Sequence, residues 1–120
     1  MNTELKKNSL GKKLFLAMRG ACLPYKTEVS IRIQSGCVLA AVALGFYVHL
    51  SFTEWAWIVI ASALLLITET LNTAIEKLVD LVSPGYHEIA GLVKDLAAGA
   101  VFMAAMCALI IALLIFIPHF

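Results

Sequence analysis

Residues 69–80, ETLNTAIEKLVD, carry Glu69, Asn72, Glu76 and Asp80 at spacings of three, four and four. At about 100° per residue, these four side chains fall on one narrow stripe of a helix. The preceding stretch, 57–67, holds no charge, so the stripe begins inside a segment apolar enough to cross a membrane. A charged side chain at such depth costs roughly 2.5–3.5 kcal/mol on insertion scales. Three carboxylates on one stripe also repel one another. A metal ion is the simplest compensation. Hard carboxylate oxygens suit Mg²⁺, which is usually held by one or two carboxylates together with substrate phosphates.

The elements that must position this stripe follow from composition. The chain has 120 residues, of which 62% are hydrophobic and 14% charged. A soluble domain is nearer 45–50% apolar and about 25% charged. The reading is an all-α integral membrane protein forming a single domain over residues 1–120. Three transmembrane helices are expected at about 31–50, 54–81 and 96–117, preceded by an amphipathic surface helix at about 12–26. In that first helix Leu14, Met18, Ala21 and Tyr25 follow helical spacing, while Lys12, Lys13, Arg19 and Lys26 supply a basic side. This pattern suits a helix lying on an anionic bilayer surface, and Pro24 should end or kink it. Residues 1–10 are polar and expected to fray.

Within the first span, Arg32 and Gln34 sit near the start, where long side chains can snorkel to the interface. Trp55 and Trp57 mark the opposite boundary as an aromatic belt. A span of about 20 residues from there puts Glu69 one to two turns inside the hydrocarbon edge, Glu76 at the edge and Asp80 in water. Ser83-Pro84-Gly85 is a turn signal, with Tyr86, His87 and Glu88 in a polar loop or short helix before Lys94 and Asp95 open the third span. Ala100, Ala104, Ala108 and Ala112 recur every four residues, which predicts close helix packing. Seven of the nine Lys and Arg lie in the first 32 residues, so the N-terminus is expected in the cytoplasm. Three spans then bring the stripe, Glu28, His87, Lys94 and Asp95 to the cytoplasmic face.

These groups divide by chemistry. Glu28 and Glu76 are hard oxygen ligands at the aqueous edge, and Lys94 is a point charge for a phosphate. Glu69 lies deeper, within reach of a lipid hydroxyl, as a general base must be. Asn72 can hold that hydroxyl or orient Glu69. The sum is phosphoryl transfer to a lipid, which needs positioning, a metal and cationic stabilisation. An intramembrane carboxylate equally serves a small proton-coupled transporter or channel, and chemistry alone leaves both readings open. Other classes are excluded more firmly. No glycine belongs to a GxxxxGK[ST] or GxGxxG motif, so a nucleotide site would be unlike a P-loop or protein-kinase site. Cys22, Cys37 and Cys107 have no CxxC spacing and are read as small apolar fillers. No secretory signal is apparent, since Arg19 interrupts the short apolar run 14–18. No nucleic-acid partner is expected, and His49 and His119 are read as bystanders at the outer surface.

The run ETLNTAIEKLVD, the following Ser83-Pro84, Tyr86-His87 and KDLAAGAV resemble the signature of the prokaryotic diacylglycerol kinase family, which includes the undecaprenol kinases. The likeness extends back through Glu28 and the RIQ of 32–34. It implies a homotrimeric enzyme of the bacterial cytoplasmic (inner) membrane, with active sites shared between subunits at the cytoplasmic face. It implies ATP as phosphoryl donor and undecaprenol or diacylglycerol as acceptor. By the same resemblance Glu69 is the catalytic base supported by Asn72, and Glu28 and Glu76 are ligands of Mg²⁺ bound with ATP. Asp80, Gly85, Tyr86, His87, Lys94 and Asp95 would surround the nucleotide. The departures concern the lipid. Gln34 and Ala98 stand where diacylglycerol-type relatives have a glutamate and tend to have a serine, and the AAGAV run resembles the undecaprenol branch. Ser9 and Leu16 stand near positions where those relatives use an arginine and a tyrosine, so no nucleotide role passes to them. A polyprenol is the favoured lipid.

Overall fold

A computed structural model describes residues 3–120, with side chains from Ser9 onward. Met1, Asn2 and the side chains of Lys6 and Lys7 lie outside the described residues. Among those described there are five α-helices, a closing 3₁₀ turn and no strand. Three of the helices are long and apolar enough to cross a membrane.

Helix α1 spans Thr3–Cys22 and takes in residues expected to fray. Leu and Lys are good helix formers, so a polar stretch rich in them can stay helical without a core. Leu10, Leu14, Phe15 and Met18 are exposed, and the helix makes its main contact with the next short helix. The surface helix does not run on to residue 26. It stops at Cys22, and after Leu23 Pro24 opens a separate turn, α2, Pro24–Thr27. Proline is tolerated there because a first-turn N–H has no helical partner to lose. A 2.7 Å bond between the Tyr25 and Ser35 hydroxyls ties α2 to α3.

Helix α3, Val29–Val48, ends with His49 in the left-handed region at φ 59°. The Leu50 N–H reaches back to the Gly45 carbonyl at 3.1 Å, closing a Schellman-type cap. A Cβ at Gly45 would lie 2.7 Å from the Trp55 ring, so only glycine lets that ring cross α3 here. Trp55 also packs on Phe46, with centroids 4.8 Å apart. It is therefore a packing residue, whereas Trp57 stays half exposed.

Helix α4, Phe52–Val82, starts with a capping box: Ser51 Oγ accepts from the Glu54 N–H, and Glu54 Oε1 accepts from the Ser51 N–H. Its 31 residues span about 46 Å, well beyond the roughly 30 Å hydrocarbon core, so its polar last third must approach an interface.

Helix α5 is Glu88–Phe116, starting eight residues before the expected boundary at 96. The reason is a cap: His87 Nδ1 accepts from the Ile89 N–H at 3.2 Å, and Glu88 favours the positive end of the helix dipole. Lys94 and Asp95 consequently sit about two turns into the helix.

Helix α4 packs chiefly on α5 and then on α3. Its buried seam runs Ile58, Ala61, Leu65, Glu69, Asn72 and Thr73, from apolar to polar along one face. On α5 the matching seam contains Ala97, Ala104 and Ile115, a coiled-coil-like progression; Ala100 of the four-residue alanine repeat faces outward. Leu50, Ile58 and Ile115 form a buried cluster at the capped end, supported by Trp55 and Phe116. His119 is no bystander. Its Nε2 meets Glu54 Oε2 at 2.9 Å, because the 3₁₀ turn Ile117–His119 brings the C-terminus back over the start of α4. The thinnest dimension is 22 Å, about two helix diameters, so the helices form a layer. All three cysteines are free and exposed, which corrects their reading as fillers within this chain.

Candidate active site

The apolar seam of α4 becomes chemically active at Glu69. This carboxylate is only 6% exposed. Its Oε2 accepts from Gln34 Nε2 of α3 at 3.0 Å, while Oε1 has no partner among the described residues. One turn on, Asn72 is 9% exposed, and its Nδ2 donates to Glu76 Oε1 at 3.1 Å. Asn72 thus bonds Glu76 in this structure, while the amide on Glu69 comes from Gln34. Each carboxylate is held by one neutral amide. Both amides leave their carbonyl oxygens buried and without partners among the described residues. Each orphan of this kind costs about 1–3 kcal/mol.

The neighbouring threonines behave differently. Thr68, Thr70 and Thr73 donate to carbonyls one turn back on α4, at 2.9, 2.9 and 3.1 Å, and so commit their hydroxyl protons to the backbone. The buried side-chain oxygens left without a partner among the described residues are those of Gln34 and Asn72.

Toward the polar end of α4, Asp80 forms an ion pair with Lys94 of α5. Asp80 keeps 64% of its side chain exposed, so this is a solvent-facing pair. Asp80, Gly85, Tyr86, His87 and Lys94 line one shallow cleft of about 180 Å³. Tyr86 is 98% exposed there, with its ring free to meet a planar ligand. Asp95 is exposed and does not line the cleft. Glu28 stands half-buried at the start of α3, and its side chain makes no capping bond. Among the described residues, no three His, Cys, Asp or Glu side chains gather into a ready metal site. Glu28 and Glu76 are each acceptor-only oxygen donors with capacity left over, the donor type a hard divalent ion takes, and no contact among the described residues joins the two.

Gln34 was legible as a polar residue near a helix start and, by the resemblance, as a departure from a glutamate, but not as the partner of Glu69. Its bond to Glu69 spans 35 positions, and neither local spacing nor periodicity reports such a pairing. The signal available was its place on an apolar helix, where an amide needs a partner.

Comparison with known proteins supplies the family. The chain is 39% identical over 111 residues to the undecaprenol kinase of Bacillus subtilis (strain 168), covering 92% of this chain and 90% of that one. It is 37% identical over 103 residues to a diacylglycerol kinase of Synechocystis sp., covering 85% of this chain and 59% of the relative. The diacylglycerol kinase of Escherichia coli (strain K12) is 29% identical over 102 residues, covering 85% and 84%. Residues 15–116 match the family described as prokaryotic diacylglycerol kinase. With three membrane-length helices and a family match over residues 15–116, the chain belongs to the prokaryotic diacylglycerol kinase family and is a membrane lipid kinase.

Proposed function

We propose that this lipid kinase transfers the γ-phosphate of MgATP to the hydroxyl of a lipid alcohol, giving undecaprenyl phosphate from undecaprenol or phosphatidic acid from diacylglycerol. The observation that carries the reading is the buried Glu69 at the junction of the apolar seam and the polar end of α4. A lipid alcohol can reach that junction only from the bilayer side, and a nucleotide only from the aqueous side. The family assignment favours this chemistry over a proton-coupled transporter using the same carboxylate.

In the proposed reaction the lipid hydroxyl lies against Glu69, with Asn72 nearby to support the exchange. The hydroxyl oxygen forms a bond to the γ-phosphorus as the bond from phosphorus to the β–γ bridging oxygen breaks. The proton passes to Glu69, and ADP leaves. Lys94, Asp80, Gly85, Tyr86, His87 and Asp95 surround the nucleotide. Lys94 is available to a phosphate once it exchanges its partner Asp80. Glu28 and Glu76 would hold Mg²⁺, which when bound neutralises charge on the phosphates. Catalysis of this kind depends on placement more than on covalent chemistry.

The seven N-terminal basic residues support a cytoplasmic face for the site in a bacterial inner membrane. The uncovered apolar surfaces of α3 and α5 leave room for assembly into a homotrimer with shared sites. A polyprenol is the favoured acceptor, supported by the 39% identity to an undecaprenol kinase. The test is direct: supply purified protein with MgATP and undecaprenol or diacylglycerol separately in mixed micelles, then identify the product. A labelled lipid monophosphate is expected. Absence of labelled product from both lipids sinks the reading.

A further inference from the structure

We propose that Gln34 is the positioning residue of the phosphoryl-transfer step, fixing which oxygen of Glu69 receives the proton. The inference rests on the lipid-kinase reading above. Its starting point is an asymmetry. Gln34 Nε2 occupies Glu69 Oε2 at 3.0 Å, and Oε1 of the same carboxylate has no partner among the described residues. A carboxylate tied at one oxygen has a defined free one, and that is the oxygen that takes the acceptor hydroxyl's proton. No proton leaves Gln34 in this step.

The orphaned Gln34 Oε1 strengthens the argument. An ionised carboxylate only accepts hydrogen bonds, so it admits the amide of Gln34 only with the nitrogen toward it. The oxygen is then left over as a necessary consequence. After transfer the proton sits on Oε1 while the amide N–H stays on Oε2, so one bond marks the accepting oxygen before and after the step. A residue serving only to glue α3 to α4 would gain nothing from this one-sided arrangement.

Gln34 also lines a groove of about 330 Å³ between α3, α4 and α5, alongside Cys37, Ala41, Ala61 and Ala108. A test must therefore keep the side chain's volume. Gln34→Met does so and removes both polar atoms, and loss of an amide from an apolar helix does not hinder membrane insertion. With lipid alcohol and MgATP in mixed micelles, kcat should fall about 10–100-fold, the effect of losing a bond to a charged group. KM for ATP should stay within about twofold, since the amide meets no phosphate. The solvent deuterium isotope effect on kcat should rise as proton transfer becomes limiting. Gln34→Glu should recover most of the loss, because two apposed carboxyls share a proton and restore the bond.

The deciding comparison uses Glu69→Asp, which keeps a carboxylate but withdraws it from the amide. In that background Gln34→Met should cost under about threefold, because the pair no longer acts as a unit. Equal losses in both backgrounds, or an unchanged kcat in Gln34→Met, overturn the proposal. Wild-type protein that yields no lipid monophosphate overturns the underlying reading and the proposal with it, whereas a productive wild type with an indifferent Gln34 overturns the proposal alone.

Discussion

The two ends of α4 each carry a carboxylate on a helix that crosses an apolar layer, and they treat it in opposite ways. At the capped end both oxygens of Glu54 are engaged, Oε1 by the Ser51 N–H and Oε2 by His119. At the polar end Glu69 and Glu76 are each held by a single amide, and the amides keep buried unpartnered oxygens. The first arrangement is closed and needs nothing further. The second is incomplete by itself, and in the proposed reaction its deficit would be matched by a ligand that brings a hydroxyl and phosphates. Saturation of hydrogen-bonding capacity thus separates structure from chemistry more sharply than charge does, since acidic residues occur at both ends.

This contrast can be broken in three places. The largest effect is expected for Glu69→Gln. Lipid phosphorylation should drop by roughly 10²–10⁴-fold, the usual worth of a general base. Thermal stability should be unchanged or raised, because a neutral amide is easier to hold in an apolar layer than a carboxylate. Turnover near the wild-type rate would remove Glu69 as the base. Next is Gly45→Val at the closed end. The added side chain meets the Trp55 ring, with the first carbon already 2.7 Å away. Overpacking of this kind costs about 1–3 kcal/mol, to be read as an earlier unfolding transition in detergent. Activity per folded molecule should persist; selective loss of kcat would mean the two ends are coupled. The smallest effect is expected for His119→Ala. Removing this partner frees one oxygen of Glu54, and both kcat and KM should stay within about twofold of wild type, as for a group remote from the chemistry. A large change in either would show that the closed end takes part in turnover.

Much of the fold was legible because its signals are local. The apolar runs, the break at Pro24 and the acidic stripe can each be read within a few turns of helix. The errors arose where a distant or unusual partner decides. Helix α5 begins early because histidine serves as its cap, a role more often taken by serine, threonine or aspartate. His119 finds Glu54 across 65 positions, and Gln34 finds Glu69 across 35, so neither bond leaves a periodic trace. Asn72 was correctly placed on the stripe, but spacing could not decide between Glu69 one turn before it and Glu76 one turn after. Its amide in fact joins Glu76.

The short link between α3 and α4 bears on how the chain enters a bilayer. Only His49, Leu50 and Ser51 separate the two helices, and Leu50 is buried while the backbone closes onto Gly45 and the capping box. Few bare peptide groups remain to be dragged through hydrocarbon. The helices α3 and α4 can therefore insert together as a hairpin, with the costs of exposed backbone already met by its own caps.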